Sequence, residues 1–175
     1  MLRSMFSSRL ARRGLGGVAA LQLAKFAAVG VFVFVGCGPI GPIPGGALSG
    51  EVGPARVADW SFASDVTNAQ LETRPDDPHS VNTWFAAVGP ALYVPTSMIL
   101  GPKHPEGRSW VAHVAEDDRV RIRLGDRVFE RRAERVDPDG AEYQRARAAL
   151  EARYEIAVDD RDPDRTIWIY RLEPR

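Results

Sequence analysis

Hydrophobic and polar positions alternate most regularly in "RVRIRL", residues 119–124, where apolar side chains occupy every second position and arginines occupy the others. This period of two is typical of a strand with one buried face. A second alternating run covers residues 128–136, and the short "GDR" before it predicts a β-hairpin. Residues 79–88 and 91–97 are rich in β-branched and aromatic side chains and flank a Gly-Pro pair, which predicts another hairpin.

The remaining regular segments predict three strands and two helices. Short apolar runs at residues 57–62, 68–73 and 166–173 are interpreted as strands. Apolar residues at helical spacing predict a short helix with Ser109 as its N-cap and a longer helix over residues 137–154. Many short strands interrupted by two helices indicate a mainly β domain, a small barrel with the helices packed outside it.

The composition agrees with one folded domain preceded by a separate basic segment. Hydrophobic residues make up 45% of the 175, which is enough to bury a core. The net charge is zero, but the residues before Cys37 include five basic and no acidic side chains. From Cys37 onward there are 18 basic and 23 acidic residues, so this part gives no reason to expect nucleic-acid binding. A single cysteine excludes an intrachain disulfide and a cysteine-rich zinc site.

The basic segment has the pattern of an export signal. A positive leader, "MLRSMFSSRLARRG", precedes residues 26–36, which have no polar side chain and end directly before Cys37. "FVGC" resembles the lipobox of bacterial lipoproteins, in which a peptidase cleaves before a cysteine that is then lipidated. The resemblance implies a signal peptide at residues 1–36 and a diacylglycerol thioether on Cys37. The attached acyl chains would anchor the rest of the protein stably to a membrane, on the periplasmic side.

Other interpretations of this segment stay open. Residues 14–36 are long enough to span a bilayer as an uncleaved anchor, although Lys25 would cost roughly 2.5–3.5 kcal/mol at the membrane centre. Cys37 as an ordinary free thiol is a further alternative. The paired Arg12 and Arg13 are compatible with twin-arginine export as well as with the general secretory route.

The segment after the export signal is dominated by proline and glycine. Residues 37–55 cannot form a helix or a central strand, and they are predicted to be a tether that separates the anchor from the folded domain. The folded domain is expected to occupy residues 56–175.

Within that domain, the order of elements and the local motifs resemble the split β-barrel family of flavin-binding proteins. This family includes pyridoxamine 5′-phosphate oxidases and deazaflavin-dependent nitroreductases. The matching segments are "LETR", "SV", "WF" and "GPALYVPTS" within residues 71–97, and "RSWVAHVAEDDRVRIRLGDRVFERRAERV" at residues 108–136. The resemblance implies a six- to seven-stranded split barrel with two outer helices, usually a homodimer with a flat flavin ring at its interface. It also implies a flavin-dependent oxidoreductase that acts on a small molecule.

The resemblance further points to the residues that would hold the cofactor, which is FMN or, as the weaker alternative, a deazaflavin. Basic side chains and hydroxyls at the end of the fourth strand and in the following loop bind the cofactor phosphate in this family. In the present sequence, the residues at the matching positions are Arg74, Thr96, Ser97, Lys103, Arg108 and Trp110. Guanidinium and ammonium groups pair with phosphate oxygens, and hydroxyls add hydrogen bonds. FMN is favoured because a deazaflavin outside the cytoplasm would need its own export.

Other candidate residues favour structural roles. The three histidines lack metal-ligand spacing, so no metal is expected. His113 is either a proton donor or a helix residue packed near Trp110. The arginines of residues 119–135 are expected to pair with neighbouring glutamates on a solvated sheet face. The acidic turn "RPDDPH", residues 74–79, supports an alternative function, a non-catalytic barrel that binds a ligand or an envelope partner.

Overall fold

The computed structural model describes residues 38–175, in which the chain forms eight β-strands and two α-helices. The predicted signal peptide and Cys37 lie outside these residues. The strands are β1 (Glu51–Val52), β2 (Ala69–Thr73), β3 (His79–Thr83), β4 (Ala86–Val88), β5 (Ala91–Pro95), β6 (Arg119–Leu124), β7 (Arg127–Arg135) and β8 (Ile169–Pro174), and the helices are α1 (Ser109–Glu116) and α2 (Ala141–Arg153). None of the helices in this range has the length and apolar character needed to cross a membrane.

All eight strands of residues 38–175 belong to one sheet that curves into a barrel. Seven of them follow the order β3–β2–β6–β7–β8–β5–β4 with antiparallel neighbours, and β1 pairs with β7 in parallel. The first and last strands of this order, β3 and β4, are joined only by Trp84 and Phe85, so the two edges of the sheet lie next to each other. The architecture confirms the predicted mainly β fold with two helices, and β1 adds one strand to the six or seven expected.

Both predicted hairpins are confirmed. The β4–β5 and β6–β7 turns each have two residues, and the first residue is a glycine at positive φ, Gly89 or Gly125. The alternation in β6 corresponds to one buried face, as predicted, because Val120, Ile122 and Leu124 are buried in the barrel core. Burial of each such side chain contributes about 1.5–3 kcal/mol to stability.

Each helix packs one apolar face onto the barrel. Helix α1 places Trp110 and Val114 in the same core cluster as the buried face of β6. Helix α2 forms a second cluster with β4 and β8, to which it contributes Tyr143 and Leu150. The Tyr143 hydroxyl donates a hydrogen bond of 2.9 Å to the Ile167 carbonyl, so the polar end of this buried ring is satisfied. The helical stripe predicted within residues 137–154 is therefore confirmed.

The prediction that the arginines of residues 119–135 pair with glutamates holds only in part. Arg119, Arg121 and Arg132 pair with carboxylates, whereas Arg123, Arg127, Arg131 and Arg135 form no ion pair among residues 38–175. Arg121 lies opposite Glu72 on β2, with its guanidinium 3.2 Å from the carboxylate. Among the unpaired arginines, Arg131 is only 1% exposed and lies over the rings of Trp60 and Phe129 at 5.5 and 5.3 Å. Its charge is therefore stabilised by aromatic faces and by the Glu130 backbone carbonyl, which accepts from one Nη at 2.7 Å, and not by an ion pair among residues 38–175.

The segment at residues 57–62 differs from the predicted strand. It forms a loop and a single 3₁₀ turn at Ser61–Ala63. The Asp59 carboxylate accepts hydrogen bonds from both the backbone N–H and the hydroxyl of Ser61. Such local side-chain bonds offer the backbone an alternative to a strand ladder, which explains the difference.

Two element boundaries also differ from the prediction. The run at residues 79–88 is divided into β3 and β4, because the Phe85 N–H donates to the Tyr154 hydroxyl at 3.0 Å instead of to a neighbouring strand. Helix α1 has Arg108 and not Ser109 at its N-cap position. A 3₁₀ turn directly before the helix leaves Arg108 extended, so Arg108 takes the N-cap position and the helix begins at Ser109, one residue earlier than predicted.

Residues 38–53 differ from the free tether that their composition predicts, because they lie along the barrel as a strap, here called the N-terminal strap. Gly45 pairs with Ser80 of β3 through two backbone hydrogen bonds of 2.8 Å. Leu48 is buried, and its N–H donates to the buried carboxylate of Glu72. Backbone groups that find partners on the barrel do not need water to satisfy them, so the strap is part of the barrel domain.

Candidate functional site

A cavity of about 320 Å³ opens where the N-terminal strap, the β3–β4 connection, the loop after β5 and the start of α1 meet. This volume is at the lower end of the range typical of small-molecule sites. Its wall is amphipathic, with apolar side chains such as Met98, Ile99 and Trp110 beside a polar group. The polar group consists of Asn68, Asn82, Thr83, Thr96, Ser97 and Arg108.

Arg108 is the charged side chain of the cavity wall. Its Nε and one Nη donate to the Ser97 hydroxyl oxygen at 2.9 and 2.6 Å, and the same Nη donates to the Leu100 carbonyl at 3.2 Å. Within residues 38–175, all its hydrogen-bond partners are uncharged and it forms no ion pair. Burial, and then the nearby Arg165, lower the pKa of the guanidinium, which nevertheless stays charged at any physiological pH. A charged arginine without a carboxylate partner in a cavity is suited to bind an anion.

Thr96 and Ser97 place two hydroxyls beside this guanidinium. Both side chains are buried. The Thr96 oxygen accepts the Trp168 backbone N–H at 3.0 Å, and the Ser97 oxygen accepts from Arg108. Because each oxygen already accepts a hydrogen bond, each hydroxyl keeps its proton to donate to a ligand. The cavity therefore has a donor-rich end built from the residues that follow β5 and precede α1.

Two tryptophans form flat parts of the cavity wall. Trp84 is stacked on Tyr154 with ring centroids 4.1 Å apart and an angle of 8° between the rings. Trp110 is buried and meets Tyr170 edge to face at 5.2 Å. These contacts fix the planes of both indoles, which suits a site for a flat aromatic ligand.

Four of the six residues that the family resemblance points to line this one cavity: Thr96, Ser97, Arg108 and Trp110. The structure does not bring the other two into it. Arg74 forms an ion pair with Asp77 at 2.9 Å in the β2–β3 turn. Lys103 pairs with Asp162 at 2.9 Å, and this carboxylate raises the pKa of the lysine. Both cations are therefore paired with acidic residues of this chain.

The cavity also includes residues that the sequence did not indicate. Asn82 donates a hydrogen bond of 2.9 Å to the Gly41 carbonyl and so joins the strap to β3 at the cavity wall. Gly41 and Asn82 are 41 positions apart, and no local pattern connects them. Asn68 and Thr83 occupy positions that look like ordinary polar strand ends in the sequence.

Gly101 keeps Arg108 in place, and its replacement by alanine is expected to weaken anion binding several-fold. Its φ is +86°, and a Cβ at this position would overlap the Arg108 guanidinium. The flexible guanidinium can move away from Ser97 at little energetic cost, so we expect a loss of free energy of unfolding of only about 1–2 kcal/mol, from the left-handed backbone. Calorimetric titration with FMN and urea unfolding separate the two effects.

Gly89→Ala is the matched control for this variant. Gly89 has a φ of +58°, and a Cβ there would meet no atom within 4 Å. It should lose a similar amount of stability and bind FMN as the unaltered protein does. Equal binding by Gly101→Ala and Gly89→Ala would contradict a role for Gly101 in holding the arginine.

His113 is not among the residues that line the cavity. Its Nδ1 shares a hydrogen bond of 2.9 Å with the Thr73 hydroxyl, and its ring meets that of His79 edge to face at 5.0 Å. This geometry places His113 between α1 and the β2–β3 hairpin, in contact with Thr73 and His79. Residues 38–175 contain no cluster of three or more acidic, histidine or cysteine side chains able to hold a metal ion.

The histidine pair predicts a loss of stability in mild acid. Burial is the main cause that lowers the pKa of both His79 and His113 below 6.5, and Arg74 lowers both further. The unfolded chain then binds more protons than the folded protein as the pH falls. The stability that the neutral histidine pair contributes should therefore be complete above pH 6.5. It should be lost, and the free energy of unfolding should decrease, as the pH falls through the folded-state pKa values. Urea unfolding at pH 7.5 and at pH 5 measures the difference.

The double variant His79→Asn, His113→Asn provides the control, since it keeps His104 and all acidic residues. Its stability should depend less on pH across this interval than that of the unaltered protein. If both proteins lose the same stability between the two pH values, the histidine pair is not the cause.

Comparisons with known proteins agree with this fold. No model of a known protein family matches the chain. No curated protein matches it either. An F420-H2-dependent reductase superposes with a TM-score of 0.50 at 17% identity, over 61% of this chain and 94% of that chain. A proposed pyridoxamine 5′-phosphate oxidase from Listeria innocua has a TM-score of 0.46 at 16% identity, covering 66% of this chain and 89% of its own.

A FAD-binding protein from Mesorhizobium loti has a TM-score of 0.44 at 16% identity, covering 65% of this chain and 84% of its own. At these identities the likeness concerns the fold and not the chemistry. Together with the strand order and the two helices, the superposition on the reductase confirms the predicted resemblance at the level of fold: the barrel domain of this protein is a split β-barrel.

Proposed function

We propose that this protein is a redox protein that binds a flavin-type cofactor, FMN, in the cavity beside α1. The observation that carries the proposal is Arg108, a half-buried guanidinium held by Ser97 and without an acidic partner in the described part of the chain. The fold supports it, because one protein with which the barrel superposes is an F420-H2-dependent reductase. FMN and F420 both carry phosphate on a flat ring system, which suits the two ends of the cavity.

The residues present fit such a group. Arg108 would pair with the phosphate, and the Thr96 and Ser97 hydroxyls would donate to its remaining oxygens. Trp84 and Trp110 would pack against the ring system. A bound flavin supplies the electron transfer itself, so the protein has to bind, orient and shield it.

The side chains of the cavity wall suit these tasks and support the proposal. Apart from Arg108, the described lining contains no titratable side chain. No lining residue therefore holds a transferable proton, and Arg108 acts through its fixed charge. The proton used in a reduction would come from solvent or from the substrate.

We further propose that the barrel acts outside the cytoplasm, anchored through a lipid on Cys37, and that two copies form a homodimer. The lipobox-like "FVGC" and the basic leader support the anchor. The family resemblance supports the dimer. Intact-mass measurement after membrane extraction tests the lipid, and light scattering in detergent tests the dimer.

The visible absorption spectrum of the full chain, purified in detergent, tests the cofactor. We expect a flavin band as purified, or after FMN addition and desalting, with close to one FMN per chain. A colourless protein that does not retain FMN would overturn the proposal.

A second candidate is a non-catalytic barrel that binds an anionic ligand. Arg74 and Lys103, two of the residues expected to bind the cofactor phosphate, form ion pairs elsewhere. Arg108 is then the one arginine or lysine in the described cavity wall, which favours a site for a simpler anion. Mass spectrometry of ligands extracted from the purified protein would identify a different bound anion if this candidate is correct. FMN at one per chain would exclude it.

A further inference from the structure

Three exposed apolar side chains belong to the two chain segments that contribute Gly41 and Leu100 to the cavity wall: Ile40, Ile43 and Leu100, here called the rim. They are 63%, 60% and 76% exposed. Leu100 lines the cavity, and the two isoleucines flank Gly41, which lines it from the opposite part of the chain. The rim therefore combines residues of the strap and of the loop after β5, which meet at the cavity.

The strap holds the two isoleucines in a defined turn. The N–H of Ile40 donates to the Ile43 carbonyl at 3.1 Å, and the N–H of Ile43 donates back at 3.0 Å. The Gly41 carbonyl between them accepts from the Asn82 side chain, and Pro39 beside them is buried. These hydrogen bonds hold the turn in place, so both isoleucine side chains are exposed while the backbone of the strap stays ordered.

The rim also lacks charge, which separates it from the rest of the surface. Charged residues make up 26% of the chain, but none occurs in residues 38–50 or 94–102. Other exposed apolar residues do not share this setting: Arg127 lies 5.3 Å above the Phe62 ring, and Val52 follows Glu51 in β1. An uncharged apolar surface beside a basic cavity is compatible with contact to lipid, whose surface is commonly anionic.

The rim lies next to the point where the predicted anchor joins the barrel. Cys37 is four residues before Gly41, so an extended chain places it within about 14 Å of the cavity wall. If residues 14–36 instead span the membrane uncleaved, residue 36 is the end of the anchor, and the maximum distance to the cavity wall is longer by one residue of extended chain. With the strap held on the barrel, no long tether separates the cavity from the membrane.

We propose that the rim rests in the headgroup region of the membrane and that the cavity opens onto the bilayer. The inference rests on the anchor of the proposed function and adds an orientation and a ligand class to it. A substrate with an apolar body would reach the cavity from the lipid phase by passing the rim, while Arg108 stays paired with the cofactor phosphate of the proposed function. Three side chains of this kind add membrane affinity to the anchor and fix which face of the barrel meets the lipid.

Fluorescence quenching on the full chain in vesicles tests this orientation. Leu100→Cys and Ile43→Cys are labelled with an environment-sensitive dye and reconstituted in phosphatidylcholine–phosphatidylglycerol vesicles, with or without nitroxide-labelled lipid. Cys37 carries the lipid in the proposed form, and the unaltered chain measures any background labelling. Val52→Cys is the control, because Val52 is 65% exposed but pairs with Val128.

The control position is distant from the cavity along β7. Val128 is seven residues from Arg135, or about 24 Å along a strand. The guanidinium carbon of Arg135 lies 3.7 Å from the centroid of the Trp168 ring. The backbone N–H of Trp168 donates to the Thr96 hydroxyl oxygen in the cavity wall. In the sheet, β7, β6 and β2 separate Val52 from Asn82 of the cavity wall, which is about 19 Å around the barrel at the usual strand spacing. A label at Val52 therefore reports on a different side of the barrel.

We expect nitroxide lipid to quench the dye at residues 43 and 100 at least twofold and to leave the dye at residue 52 unchanged. Protein that stays with the vesicles but shows no quenching at the rim overturns this inference alone. Protein that does not stay with the vesicles overturns the anchor of the proposed function as well. A dye shielded equally in detergent and in vesicles, without quenching, assigns the rim to a second copy of the chain and overturns the inference.

Discussion

Replacing Arg108 by glutamine should weaken FMN binding on the order of 100-fold. A hydrogen bond to a charged partner contributes about 1.5–3 kcal/mol, and each 1.4 kcal/mol is a factor of ten in affinity. In the proposed site Arg108 would make the charged contact with the phosphate, and it donates two hydrogen bonds to the Ser97 hydroxyl oxygen. Its removal thus disturbs both donors at once. Equilibrium dialysis or flavin fluorescence with the full chain in detergent measures the change.

Two variants control for charge and for geometry. Lys103→Gln removes a nearby cation that is half-exposed and paired with Asp162, so it should change the FMN dissociation constant less than about twofold, as for other surface ion pairs. Arg108→Lys keeps the charge and loses the planar fork, so its affinity should lie between those of the unaltered protein and Arg108→Gln. Equal losses for Lys103→Gln and Arg108→Gln would contradict the assignment of the phosphate to Arg108.

Replacing Arg121 by methionine should lower the free energy of unfolding by about 3 kcal/mol, which is the lower end of the cost of breaking a buried ion pair. The Glu72 side chain is only 3% exposed and faces Arg121 directly across β2 and β6. Without the guanidinium, its carboxylate stays buried with the Leu48 N–H as its remaining described partner. Because Arg121 itself is 25% exposed, we place the loss at the lower end. Urea unfolding followed by tryptophan fluorescence measures it.

Arg123→Met is the matched control on the same face of β6. Arg123 donates to the Ser49 carbonyl at 3.3 Å and has no carboxylate partner among residues 38–175. Its replacement should cost about 1 kcal/mol, the contribution of an ordinary hydrogen bond. A double variant Glu72→Gln, Arg121→Met should recover part of the loss, since it removes the uncompensated charge. Equal destabilisation by Arg121→Met and Arg123→Met would contradict the importance of the Glu72 pair.

Most secondary structure could be predicted from short sequence patterns. The alternation in residues 119–124 specifies β6 to the residue, and Gly89 and Gly125 mark the two-residue turns at positive φ. The prediction was wrong for residues 57–62, where the side chain of Asp59 satisfies the local backbone. Propensity does not register such a bond, because it depends on one rotamer of one side chain.

The candidate site was predictable only in part. Thr96, Ser97 and Arg108 lie within one short stretch between β5 and α1, so a motif contains all three. Arg74 and Lys103 have the same chemistry in the sequence, but Asp77 and Asp162 neutralise them in the structure. Whether a cation is free depends on which carboxylate the fold brings near it.

The sequence by itself determined the mainly β class, the two hairpins, the helical stripe of α2 and the stretch that carries Thr96, Ser97 and Arg108. Each of these is encoded within about twenty residues, where side-chain periodicity and turn chemistry act without reference to the rest of the chain. The tertiary structure alone decided that the Gly/Pro-rich segment packs as a strap, that Gly41 meets Asn82, and that Arg108 is the cation without a carboxylate at the described cavity. These contacts join residues tens of positions apart, and only closure of the barrel brings such residues together and determines which of their charges are paired.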